Sequence, residues 1–182
     1  MPVRHSLLGY HILAFATIFV WGTTFVSTKV LLTHGLTPPE IMFYRFVIAY
    51  VLTWIFERKV WADTWADELF LALAGFAGGT LYFLAENTAI DYTITSNVAL
   101  IVCITPVLTA LLMSLCYKER LTGKLVVGSA VSLMGVGFVV LNGSVLRIHP
   151  LGDTLAFVAA LAWAVYSVVI RRFDGKYTTW FV

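Results

Sequence analysis

Six long apolar stretches, at about residues 8–32, 40–56, 69–90, 96–116, 124–141 and 151–170, leave this chain few ways to fold. A helix that crosses a bilayer needs roughly 20 mostly apolar residues, and each stretch comes near that length. The breaks between them are short and polar or turn-forming: THGLTPP (33–39), ERKVWADTWADE (57–68), DYTITS (91–96), YKERLTGK (117–124) and NGSVLRIHP (142–150). With 60% hydrophobic and only 12% charged residues, and a mean hydropathy of +0.88, the chain has too little charge to cover a soluble surface. The expected fold is an all-α polytopic membrane protein with the lipid bilayer as its first partner. Unsatisfied backbone is costly in hydrocarbon, so the spans should be helical throughout, and the short breaks make neighbours antiparallel. Pro106 falls inside the fourth stretch and marks a kink, either simply tolerated or shaping a cavity.

Orientation follows from lysine and arginine, which gather on the cytoplasmic side. With the N-terminus inside, the inner segments hold Arg4, Arg58, Lys59, Lys118, Arg120, Lys124, Arg171, Arg172 and Lys176, nine cations against Arg147 alone outside. The net charge of +2 gives no reason to expect a nucleic-acid partner. Arg4 and His5 precede a run too long for a signal peptide, so the first span should be retained. Trp61 and Trp65 suit an anchor at the headgroup level. Gly75 and Gly79 in the third span, and Gly128, Ser132 and Gly135 in the fifth, are small residues suited to close packing inside the bundle. Cys103 and Cys116 read as buried apolar fillers. The four histidines, His5, His11, His34 and His149, have no metal-ligand spacing, so neither metal nor cofactor is expected. Asn142-Gly143-Ser144 is a glycosylation sequon, relevant only in a secretory-pathway cell.

A segment of the first span returns in the sixth. VWGTTFVSTK (20–29) compares with AWAVYSVVIR (162–171): Trp21 with Trp163, Gly22 with Ala164, Phe25 within one position of Tyr166, and Lys29 with Arg171, at an offset of 142 residues. The second copy opens five spans after the first, an odd step, so it crosses the membrane in the opposite direction. Inverted repeats of this kind mark many secondary transporters. TTWFV (178–182) then looks like the start of a seventh span, and the second copy looks truncated.

FVWGTTFVSTK, the stretch ENTAIDYTITSNVALIVCITPVLTALL (86–112) and YKERLTGKLVVGSAVSLMGVGFVVL (117–141) resemble the EamA domain of the drug/metabolite transporter superfamily. The more specific pieces are the run from Ala89 to Thr93, the helix of Pro106, and the turn at Glu119-Arg120-Leu121 into a glycine-rich helix. The resemblance makes 8–141 a first five-helix repeat, 142–150 an outer linker and 151–182 the start of a second repeat. It implies ten helices in two inverted repeats, with both ends cytoplasmic, and the transport, often export, of amino acids or related small metabolites. A bacterial inner membrane is the expected location. The chain departs from that pattern by about four helices.

Charges inside spans point to a site, because each costs about 3 kcal/mol or more at the bilayer centre. At 1.5 Å per residue, Lys29, Arg45 and Glu86 all fall in the outer third, with Glu40 at the same level. Lys29 either snorkels outward or faces a polar cavity; Arg45, set among aromatics in FYRF, is the stronger cavity candidate. Glu86 is expected to pair with one of these cations. The surplus positive charge could hold a substrate carboxylate by charge-assisted hydrogen bonds. Asn97, with Ser96 and Thr95, could add polar contacts, and Trp21, Tyr44 and Tyr82 could form aromatic walls. The small-molecule partner is therefore expected to be a polar metabolite, carboxylate-bearing if the cluster faces a cavity.

Three functions compete. A secondary transporter working by alternating access accounts for the repeat. A membrane enzyme would need a nucleophile, paired carboxylates or metal ligands; there is no GxSxG or HExxH, and Asp63, Asp67 and Glu68 sit in a loop-like setting, so no enzyme is expected. The third is a fragment or subunit that transports nothing without a partner. Oligomeric state, substrate and coupling ion are not legible in the sequence.

Overall fold

The computed structural model describes residues 7–58, 61–141, 149–178 and 181. Arg4, His5, Lys59, Arg147, the 142–144 sequon and most of TTWFV lie outside the described residues. Helices α1 (Leu7–Thr33), α2 (Pro38–Phe56), α3 (Trp65–Tyr92), α4 (Thr95–Tyr117), α5 (Gly123–Leu141) and α6 (Pro150–Ile170) make up the described chain, and no strand occurs among the described residues. Five of them, all but α5, are long and apolar enough to cross a membrane. The 19-residue α5 occupies the fifth expected span. The chain is an integral membrane protein.

The breaks end and start helices for local reasons. Gly35 follows α1 at φ +94, the left-handed backbone that glycine adopts without a Cβ penalty. The amide of Leu36 then reaches back 3.2 Å to the carbonyl of Leu31. Thr37 opens α2: its amide and hydroxyl donate to Glu40 Oε2 at 2.8 and 2.7 Å, with Pro38 and Pro39 in the first turn. Thr64 Oγ1 accepts the Asp67 amide at 3.2 Å and caps α3. His149 caps α6, its Nδ1 accepting the Gly152 amide at 3.1 Å, while its own amide donates to Asp153 Oδ2 at 3.0 Å.

Two helices depart from the regular α-helix expected throughout. α3 contains a π-helical segment, Gly75–Leu81. α4 is interrupted by a turn at residues 103–104, and Pro106 sits in the first turn of the segment that restarts at Thr105. A proline lacks the amide that the turn before it would use, so the break falls just upstream of it.

α6 is the central element, packing along α3 and α4. Its buried face is small: Gly152, Ala156, Ala159, Ala160, Ala162 and Ala164. Small residues let helices approach closely where lipid supplies no hydrophobic drive between them. Ala159 and Ala162 pack on Tyr82 and Ala85; one turn further along, Ala156 packs with Ala89, Ile90 and Val98, joined by Phe25 and Leu32 of α1. Trp21 of α1 meets Trp163 of α6. Along α1 from residue 21 to 32, the neighbours on α6 thus run from 163 back to 156, so the two helices are antiparallel. Lys29 and Arg171 end at opposite ends of the bundle.

Some small and polar residues are placed differently from expectation. Cys103 is half-buried and Cys116 exposed, so neither fills the core. Among the described residues, a Cβ added at Gly75, Gly128 or Gly135 would meet nothing within 4 Å, whereas one at Gly78 would lie 2.5 Å from the Tyr166 ring. The close approach in α3 is made by Gly78, not by Gly75.

Candidate functional site

Lys29, Arg45 and Glu86 come to the same half of the bundle, but not as an ion-paired cluster. Lys29 Nζ donates to the carbonyl of Ile90 at 2.7 Å. Arg45 Nη2 donates to Thr28 Oγ1 at 2.7 Å and to the Thr24 carbonyl at 3.3 Å, tying α2 to α1. Glu86, 2% exposed, accepts the hydroxyl proton of Tyr82 at 2.5 Å. Neither cation forms an ion pair with Glu86 among the described residues. Tyr82 stands one turn before Glu86 on the same helix, so the carboxyl finds its donor locally.

The remaining candidates divide. Trp21, Tyr82 and Trp163 form an aromatic chain, with ring centroids 5.0 Å apart from Trp21 to Trp163 and 4.9 Å from Trp163 to Tyr82. Asn97 is buried near the start of α4. Tyr44 is exposed, its ring edge-on to Phe43 at 5.8 Å.

A cavity borders that aromatic chain at Trp163. Of about 630 Å³, it opens between α2, α3 and α6. α2 presents Phe46, Tyr50, Trp54 and Glu57 to it, α3 presents Glu68, Gly75, Gly78 and Gly79, and α6 presents Trp163 and Tyr166. Positions 46, 50, 54 and 57 follow the i, i+4, i+8, i+11 rhythm of one helix face. The π-helical segment turns the glycines of α3 into a wall of bare backbone. Phe83 closes the cavity toward the polar half: it lines the space, its ring meets Tyr82 at 4.9 Å, and the Arg45 guanidinium carbon lies 6.0 Å from its centre. Trp163 belongs both to the cavity wall and to the aromatic chain. The sequence reading singled out neither α2 face nor Gly78, although the aromatic spacing was there to be read.

Polar contacts tie the start of α3 and the end of α2 to the segment after α6. Asp67, 1% exposed, receives hydrogen bonds from Lys176 Nζ and, at 2.9 Å, from the Tyr177 hydroxyl; Arg172 Nε lies 3.9 Å from its other oxygen. The hydrogen bond that it donates to Asp67 pushes the Lys176 ammonium above the ordinary lysine range. Thr178 donates to Glu57 at 2.9 Å, and Arg171 reaches Glu119 at 3.5 Å. No group of three histidines, cysteines or carboxylates is placed to hold a metal ion among the described residues.

The model of the EamA-like transporter family matches residues 8–141. An uncharacterized transporter of Archaeoglobus fulgidus is 30% identical over 173 residues, covering 92% of this chain and 59% of its own. Two uncharacterized transporters of Bacillus subtilis, YyaM and YdfC, are 36% identical over 112 residues (58% of this chain, 35% of theirs) and 26% over 178 residues (96% and 55%). The chain spans about half the length of these relatives. No solved structure matches it.

Proposed function

The chain belongs to the EamA-like transporter family, and on that premise we propose that it moves small polar metabolites, amino acids or their relatives, by alternating access, in the export direction across a bacterial inner membrane. The end that carries Asp67, Arg171 and Lys176 faces the cytoplasm in this reading, because that end collects the cations. The observation that carries it is the contact of Trp21 with Trp163, the two tryptophans that the sequence comparison aligns, beside the cavity that Trp163 lines. Inverted repeats place a binding site at their interface and open it to either side by rocking one unit against the other. The cavity then is the inward-open half of the path. Trp21, Tyr82 and Trp163 are the barrier, and Lys29, Arg45, Glu86 and Asn97 line the outer half that opens when the barrier parts.

The test is solute counterflow in proteoliposomes loaded with unlabelled amino acids. Uptake of a labelled amino acid above protein-free vesicles is expected, and Trp163→Ala should reduce it by about tenfold or more without loss of insertion. A well-inserted wild type that exchanges none of the amino acids or related metabolites would overturn the proposal.

A second reading, that the chain transports only with a partner, is favoured by α5. Its Gly128 and Gly135 face no neighbour among the described residues, although such residues serve close helix contacts. Light scattering of the detergent-solubilised protein, alone and from vesicles active in counterflow, separates a working monomer from an obligate complex.

A further inference from the structure

Glu86 is an acid inside an apolar span. It is 2% exposed and accepts the Tyr82 hydroxyl at 2.5 Å. Toward the bilayer centre an ionised carboxylate costs about 3 kcal/mol unless it is hydrated or paired. The charged groups that face it are bonded elsewhere. From α2, Arg45 Nη2 donates to Thr28 Oγ1 and to the Thr24 carbonyl. From α1, Lys29 Nζ donates to the Ile90 carbonyl. α6 presents Val158, Ala159, Ala162 and Trp163 to this stretch, none of which ionises. Its Asp153 lies further along, next to the Gly152 that packs on Thr93 at the end of α3. α4 meets α3 at Val98.

Tyr82 joins this acid to the aromatic barrier. Its ring is 4.9 Å from that of Trp163, which lines the cavity, and Trp163 is 5.0 Å from Trp21. A phenol both donates and accepts. Toward an ionised Glu86 the Tyr82 hydroxyl donates. Toward a protonated Glu86 it can accept, and the contact then reverses direction without a change of partner. Tyr82 is thus a positioning residue that holds Glu86 against the barrier in either form.

We propose that Glu86 carries the proton that drives export. Its carboxylate takes one proton from the outer water when the outer half is open. It gives that proton to the water of the cavity when the rings of Tyr82 and Trp163 shift, and one solute leaves in exchange. The O–H bond formed on one side is broken on the other, so only a proton and a solute change place. Charge supplies the reason for exchange. Closing the barrier over an ionised, empty Glu86 would bury an unpaired charge. A proton removes that charge, and the ammonium group of a bound amino acid pairs with it. Proton and solute therefore alternate on one carboxyl. The proposal rests on the transporter reading and adds the coupling ion to it.

The test places acid-loaded proteoliposomes of the full chain in an alkaline medium with a labelled mixture of the standard amino acids. Potassium and valinomycin clamp the membrane potential at zero. One-for-one exchange turns a proton gradient of about tenfold into solute accumulation of about tenfold. Glu86→Gln keeps an oxygen for the Tyr82 hydroxyl but binds no proton. Its accumulation should fall by about tenfold, to that of vesicles without a gradient, and whatever counterflow it retains should ignore the gradient. Glu86→Asp, which still titrates, should keep part of the accumulation. A structural role alone would lower counterflow and accumulation together. Wild-type counterflow without gradient-driven accumulation overturns the coupling and leaves transport standing. Undiminished accumulation by Glu86→Gln overturns the assignment to Glu86. A wild type that exchanges no solute removes the transporter reading and the coupling with it. Dicyclohexylcarbodiimide, which modifies protonated carboxyls in apolar surroundings, decides on the wild type if the glutamine variant fails to fold or to transport. Peptide mass spectrometry should then find Glu86 labelled about tenfold more in acid than in alkaline medium. No label at Glu86, or label indifferent to pH, overturns the proposal.

Discussion

Lys29 Nζ lies 2.7 Å from the backbone carbonyl of Ile90, 61 residues further along the chain. Ile90 is in the last turn of α3, where carbonyls have no amide ahead of them to accept from. Water would serve such a group in a soluble protein; inside a membrane a neighbouring side chain must. A lysine near the end of an apolar span is therefore accounted for by the end of another helix. Arg45 instead ties α2 to the body of α1, where its guanidinium meets the buried hydroxyl of Thr28.

Lys29→Met should leave the Ile90 carbonyl without this donor and lower stability by about 1–3 kcal/mol, the usual cost of an orphaned buried polar group. Thermal unfolding of the detergent-solubilised protein measures it. If the variant keeps the wild-type midpoint and loses solute exchange, the lysine acts on substrate and the helix-capping account is wrong.

Gly78→Ala places a Cβ 2.5 Å from the ring of Tyr166 and 2.9 Å from its Cβ, so Tyr166 and the helix that carries it must shift. Overpacking of this sort costs about 1–3 kcal/mol. Gly75→Ala meets nothing within 4 Å and should be close to neutral. The pair separates contact from helix propensity, because both substitutions raise propensity alike. Equal melting temperatures for the two variants would contradict the packing at Gly78.

Spans were legible because length and hydrophobicity alone define them in a membrane. Partners were less so, for physical reasons that differ by residue. Charge counting paired Glu86 with Arg45 or Lys29, yet Tyr82, four positions before Glu86, supplies the donor at lower cost than two desolvated ions would. The GxxxG spacing pointed to Gly75 and Gly79, but that rule assumes an α-helix, and the π-helical segment shifts the register so that Gly78 faces Tyr166. The recurrence of a tryptophan before a small residue at positions 21 and 163 was readable from sequence; that the two rings touch was not, since it depends on how α6 enters the bundle. Aromatics at 46, 50 and 54 could have revealed the cavity wall, but rings at helical spacing more often face lipid or core.

Asp67 anchors the segment after α6 through Lys176 and Tyr177. Lys176 is raised above its ordinary value in the folded protein, so this contribution is complete below the unfolded lysine pKa of about 10.4 and is lost as pH climbs through the higher folded value. The wild-type melting temperature should fall across that alkaline window. Asp67→Asn should start lower at neutral pH and fall less there, so the two curves converge. Parallel curves would mean that Lys176 does not stabilise the fold through Asp67.

Tyr82 and Glu86 offer the sharpest test of the polar half. Tyr82 is wholly buried and its hydroxyl is 2.5 Å from Glu86 Oε1. Tyr82→Phe removes the donor and leaves the carboxyl buried without it, an expected loss of about 1–3 kcal/mol. Glu86→Gln keeps an acceptor oxygen for the hydroxyl and should cost less. Tyr82→Phe combined with Glu86→Met removes donor and acceptor together, and apolar replacement of both partners is often near neutral. The double variant should therefore be more stable than Tyr82→Phe alone, a coupling of about 0.5–3 kcal/mol in a double-mutant cycle. Additive losses would mean that the two groups do not depend on each other. If the double variant is stable yet exchanges no solute, Glu86 serves the transport path as well as the fold.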